Sequence, residues 1–71
     1  MQLYRVKVKE NIMSKGIRLD KGMSVDIEAS TNPLSIDDGI TIIEAFFKCY
    51  AVDIRRANIL SKEYLDITII Q

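Results

Sequence analysis

The sequence predicts a small α+β domain: an antiparallel sheet of three to four strands with one amphipathic helix packed across its apolar face. Three observations predict it. Three segments alternate apolar and polar residues with period two, one longer segment carries apolar residues at helical spacing, and 71 residues leave room for one core and no second domain. The element order is β-(β)-β-α-β within a single domain, residues 1–71. The alternative architecture is a small, partly open barrel in which the glycine-containing hairpin curls over and the helix plugs one end.

The first strand runs from Tyr4 to Lys9, with Tyr4, Val6 and Val8 on one face and Arg5, Lys7 and Lys9 on the other. A second strand follows Gly22, with Met23, Val25, Ile27 and Ala29 inward and Ser24, Asp26 and Glu28 outward. Between them, Asp20-Lys21-Gly22 suits a three-residue hairpin loop with glycine in the left-handed position. Ile17 to Leu19 is then a short extra strand hairpinned onto Met23 to Val25, and Ile12-Met13 folds back over the core. The last strand, Tyr64 to Ile70, places Leu65, Ile67 and Ile69 on its apolar face and Asp66 and Thr68 opposite.

Ser30-Thr31-Asn32-Pro33 breaks the strand pattern, because proline cannot donate to a ladder. The helix is expected just after it, with Ser35 and Asp38 as a variant capping box and Asp37-Asp38 placing negative charge at the positive end of the helix dipole. Ile36, Ile40, Ile43, Phe47 and Tyr50 form the main apolar stripe, Thr41, Glu44 and Lys48 the polar side, and the end falls near Tyr50 or Ala51. Asp53 then caps a short turn through Arg55-Arg56-Ala57, and Asn58 and Ser61 lead into the last strand.

Ten basic and ten acidic residues cancel, which argues against the broad positive field behind non-specific nucleic-acid affinity. There is no histidine and one cysteine, Cys49, so the usual proton shuttles, nucleophiles and metal ligands are nearly absent. Gly16, Gly22 and Gly39 form neither a dinucleotide fingerprint nor a phosphate loop. The expectation is a non-enzymatic protein with no cofactor and no metal site. The alternating N-terminus is unlike a signal peptide and no apolar run approaches a membrane span of roughly 18 residues. With a free thiol, that predicts a cytoplasmic protein with no membrane partner.

Two surfaces are candidates for binding. Beyond the main stripe, Ile42, Phe46 and Cys49 form a second apolar row, wider than the roughly 100° that a helix on one sheet needs. Either the chain's own segments cover that row, from Ile12-Met13 or from Val52, Ile54, Ile59 and Leu60, or the row is a contact surface for a protein partner or a second copy. The other surface is basic: Arg5, Lys7, Lys9, Lys15, Arg18 and Lys21 could track phosphates in a nucleic-acid-binding accessory protein, while Arg55 and Arg56 form a further basic pair. Cross-strand pairing with Asp26, Glu28 and Asp66 explains the basic strand without a ligand. The leading expectation is therefore a protein-interaction module, self-associating through the helix flank, with nucleic-acid binding as the alternative.

The stretch Phe46-Phe47-Lys48-Cys49-Tyr50-Ala51-Val52-Asp53, with Ala57-Asn58-Ile59-Leu60-Ser61 and Tyr64-Leu65-Asp66-Ile67, resembles a family of short uncharacterised proteins from Bacteroidales gut bacteria. The likeness lies in the C-terminal half. It implies a bacterial, cytoplasmic, single-domain protein, and it carries no activity, ligand or site residue across.

Overall fold

The computed structural model describes residues 1–57 and 59–71, with Asp37 described in its backbone only. Its strands are β1 (Gln2–Val8), β2 (Ile12–Ser14), β3 (Ile17–Leu19), β4 (Ser24–Ala29) and β5 (Leu65–Ile69), and its helix is α1 (Ile40–Tyr50). Short 3-10 turns occupy Pro33–Ser35, Asp37–Gly39 and Ile54–Ala57. An antiparallel sheet has the order β4-β1-β5, and a separate two-stranded hairpin joins β2 to β3. Among the described residues no closed barrel forms, and one helix lies on antiparallel sheets, an α+β architecture.

The alternation in β1 decides the sheet. Tyr4, Val6 and Val8 are buried, and on the flanking strands Val25, Ile27, Ala29 and Leu65 are buried on the same side. Because side chains alternate with period two, a slip of one residue would expose the whole set. The observed register pairs Val6 with Val25 on one side and with Ile67 on the other. The basic strand thereby lies between two strands whose outward residues include acids.

The connection between β1 and β4 differs from the sequence expectation. Ile17–Leu19 pairs with Ile12–Ser14, not with Met23 to Val25. Lys15 and Gly16 sit at φ 50° and 80°, and two consecutive positive values make the tight two-residue turn whose twist matches paired strands. The turn at Asp20-Lys21-Gly22 does form, with the Met23 N–H donating to the Asp20 carbonyl at 3.1 Å. It delivers the chain into β4 and is not a hairpin. Ile12 and Leu19 point inward and are buried, whereas Met13 is exposed.

The helix starts later than its sequence suggests. Asn32 caps the first 3-10 turn, its side-chain oxygen accepting from the Leu34 N–H at 2.9 Å. The chain then turns through Asp38 at φ 55° and Gly39 at φ 78°, so the residue before α1 is left-handed, and this glycine N-cap has no side chain with which to cap the helix. Ser35 and Asp38 make no capping box; the part of the dipole expectation that concerns the Asp37 side chain lies outside the described residues, as does the expected lead-in at Asn58. At the other end Ala51 is left-handed, and its N–H donates to the Phe47 carbonyl at 2.8 Å. Asp53 does cap the following turn, its carboxylate accepting from the Arg55 N–H at 3.1 Å.

The helix also faces the sheet with a different side. Its buried residues are Ile42, Ile43 and Phe46, whereas Ile40, Phe47 and Tyr50 of the expected stripe are exposed. The turn about the axis is roughly 70°, taking 3.6 residues per turn. Segments of the same chain close over the second row: Ile12, Ile54 and Ile59 are buried, and Val52 and Leu60 pack against the cluster from its rim. The turn Ile54–Ala57 packs against α1 and the β2–β3 hairpin, so it ties the hairpin to the main layer. At the end of β5, Ile69 is exposed although Leu65 on the same face is buried.

Two backbone positions make the helix ends testable. Ala51→Gly removes a Cβ from a left-handed residue and is expected to stabilise the fold by about 0.5–1 kcal/mol. Gly39→Ala adds one beside the Leu60 side chain, 3.2 Å away, and is expected to cost about 1–2 kcal/mol. Urea unfolding with an unchanged m value checks both; equal stabilities for all three proteins contradict these helix ends.

Candidate functional site

Three expected contact residues are separated by the fold. Ile42 and Phe46 have 0% exposed surface and belong to the chain's own core, so neither is a contact surface. Cys49 is exposed as a free thiol near the C-terminal end of α1, away from the helix N-terminus that would favour a thiolate. The apolar residue that α1 does present to solvent is Phe47, 59% exposed and adjacent in sequence to the buried Phe46.

Phe47 forms one wall of a cleft of about 360 Å³ between α1 and the turn after it, lined also by Ile43, Glu44, Lys48, Asp53 and Arg55. Ile43 supplies an apolar floor at 7% exposure. The rim holds two acids and two bases. Such a site can accept an apolar side chain and surround it with polar partners of either sign. Nothing in it pairs a nucleophile with a base to orient it.

Tyr50 lies beside this flank and is fixed from two directions. Its ring stacks on Phe46 with centroids 5.7 Å apart, and its hydroxyl donates to the Ser24 carbonyl at 2.9 Å while accepting from the Ser24 N–H at 3.2 Å. No local pattern signals this link, because 26 residues separate the partners along the chain. It ties the last turn of α1 to the start of β4.

The basic residues do not combine into one positive surface. Arg5 projects from the outer face of the sheet and meets Asp26 across the β1–β4 pair, donating from Nε at 2.9 Å and Nη2 at 3.2 Å. These hydrogen bonds, with Coulomb attraction, raise the Arg5 pKa, and the hydrogen bonds from Arg5 hold the Asp26 carboxyl below its ordinary value. Lys7 lies opposite Asp66 in register. Lys9 donates to the Lys62 carbonyl at 2.8 Å, and Arg18 faces Asp20 at 3.5 Å. Lys15 stands at the tip of the β2–β3 turn and Lys21 in the next turn, both exposed. Arg55 lines the α1 cleft, while Arg18 lines a different one on the hairpin.

Asp26 is thus engaged with a guanidinium. Among the described residues no three metal-ligating side chains gather, and no polar or charged side chain is buried. Among the described residues no helix is long and apolar enough to cross a membrane.

A family model described as a family of unknown function (DUF6140) matches residues 1–67, and so takes in the N-terminal strands as well as the C-terminal half. No curated protein and no solved structure matches the chain.

The adjacent phenylalanines should behave as opposites. Phe46→Ala is expected to lose about 3–5 kcal/mol, and Phe47→Ala to change stability by no more than about 0.5 kcal/mol; similar losses in denaturant titrations of the two variants contradict the helix orientation. The Arg5–Asp26 pair has a pH signature. A carboxyl whose folded pKa is depressed contributes stability above its unfolded pKa and loses it as pH falls through the folded value. Stability of Asp26→Asn measured against pH should therefore lie below wild type near neutrality and converge with it in acid, and a difference that persists unchanged in strong acid contradicts the pairing.

Proposed function

We propose, for a chain that belongs to the family of unknown function DUF6140, that it is a non-enzymatic protein-interaction module that associates with copies of itself. One observation carries this reading: the core closes without Phe47 and Ile69, which stay 59% and 57% exposed, with Ile70 also outside. Apolar side chains left on a small soluble surface in groups usually mark contact sites. The helix flank of this reading is Phe47 with Ile40 and Tyr50, in place of Ile42 and Phe46.

A second copy suits these surfaces. An isologous contact brings a surface against itself, so a rim of one sign would repel. The cleft beside Phe47 carries Glu44 and Asp53 with Lys48 and Arg55, and the whole chain is neutral. A standard interface takes about 800 Å² from each partner, roughly a sixth of the 4773 Å² available here. The exposed apolar groups are narrower than that, which favours a weak, concentration-dependent association. Nucleic-acid binding has less support, since Arg5, Lys9 and Arg18 each already face an acceptor within the chain. The same reading keeps the protein cytoplasmic and its source among Bacteroidales, on the likeness of residues 46–67.

Light scattering of the purified chain from micromolar to millimolar concentration tests this. Average mass should rise above the 8.1 kDa of one chain. A mass that stays at one chain throughout overturns self-association.

A further inference from the structure

The sheet has two edges, and the fold treats them differently. On β4, the bond from the Val8 N–H to the Met23 carbonyl at 2.8 Å sets the alternation, so Ser24, Asp26 and Glu28 aim their main-chain groups away from β1. The Tyr50 hydroxyl occupies both groups of Ser24, and α1 packs along this strand. On β5, the bond from the Lys9 N–H to the Tyr64 carbonyl at 2.9 Å sets the phase, so Asp66 and Thr68 bond to β1. Leu65, Ile67 and Ile69 then turn their main-chain groups outward. The Leu65 N–H is used by the Ser61 carbonyl at 3.0 Å; no strand pairs with the outer side of β5 among the described residues.

A groove of about 270 Å³ borders this edge, lined by Asp66 from the outer face of the sheet, by Leu65 and Ile67 from the core face, and by Lys9, Asn32 and Lys62 from neighbouring segments. Contact with residues of both faces locates it at the strand's rim. β5 itself carries no proline and no lysine, two of the devices that discourage strand pairing, while Lys9 and Lys62 line the groove beside it.

We infer that this edge receives the same edge of a second copy, antiparallel about a two-fold axis through Ile67, fusing two three-stranded sheets into one. The inference rests on the self-association proposed above and assigns its seam. In this register Ile67 faces its own counterpart, Ile69 faces Leu65 of the second copy, and Asp66 faces Thr68. The outward N–H groups of Ile67 and Ile69 find the carbonyls of Ile67 and Leu65 in the other chain. The exposed Ile69 side chain is covered by continuing the apolar row of the opposite strand.

Charge selects the register. Moving the axis to Asp66 sets two carboxylates directly opposite one another, which is destabilising. Moving it to Thr68 sets Asp66 opposite the exposed Ile70 and leaves Leu65 facing Gln71. A shift of the axis by half a residue mismatches the bonding groups, so only the axis at Ile67 satisfies backbone, charge and apolar row together.

Cysteine cross-linking of the full chain in a Cys49→Ser background tests the seam. Directly opposed residues at a non-hydrogen-bonded antiparallel position lie about 4.5 Å apart between Cα atoms, within disulfide range. Asp66→Cys and Thr68→Cys chains should give a covalent dimer on mild oxidation when mixed, and little when either is oxidised alone. Self-cross-linking of either variant alone, exceeding that of the mixture, overturns the register. Sedimentation completes the test: Ile69→Lys, at an exposed position, should weaken association at least tenfold with unchanged circular dichroism, whereas Met13→Ser, exposed on the β2–β3 hairpin, should leave it intact. Loss of the dimer in Phe47→Ser but not in Ile69→Lys overturns the edge assignment and leaves self-association standing; a wild-type chain that never associates overturns both.

Discussion

Val6 and Val8 are fully buried on the central strand, and the register that buries them determines where the other residues can be. Burying a valine side chain is worth on the order of 1.5–3 kcal/mol, and a slip of one residue would forfeit that for every inward residue of β1 at once. Exposed ion pairs are weak by comparison. Arg5 therefore meets Asp26, and Lys7 stands opposite Asp66, because apolar burial has already fixed the strands. The charges ratify the register more than they create it.

From that register the two sheet edges follow, and with them the proposed function. Alternation of main-chain bonding leaves one set of groups facing out from β4 and another from β5. Tyr50 attends to the first set at Ser24, held by its stacking on Phe46, so the helix that completes the core also blunts one edge. On β5 the Ser61 carbonyl takes the Leu65 N–H, and among the described residues no strand pairs outside Ile67 and Ile69, which face outward with their backbone. In the proposed assembly, one blunted and one open edge leave a single side for adding a strand, which favours a closed pair over an open fibre.

Much of this was legible in the sequence, for a physical reason. Period-two alternation is a local property, so the inward faces of β1 and β4 could be read directly from Tyr4-Val6-Val8 and Val25-Ile27-Ala29. The helix was harder. Its apolar residues cover so wide an arc that spacing alone favours the stripe through Phe47, whereas the surrounding segments, Ile54 and Ile59 above all, bury Phe46 instead. The hairpin was misplaced because Asp20-Lys21-Gly22 and Lys15-Gly16 are both competent turns; positive φ at both Lys15 and Gly16 makes the second the tight one. Helix initiation at Gly39 left no side-chain signature to find. The β5 edge and the Tyr50–Ser24 link depend on strand order, which no local pattern encodes.

Amide hydrogen exchange on the full chain addresses the strand register and the open edge together. The account predicts that Asp66 and Thr68 amides are protected at every protein concentration, while those of Ile67 and Ile69 exchange rapidly when dilute and slow as concentration rises. Uniform protection along β5, or rapid exchange at Ile67 and Ile69 that concentration does not alter, would contradict it.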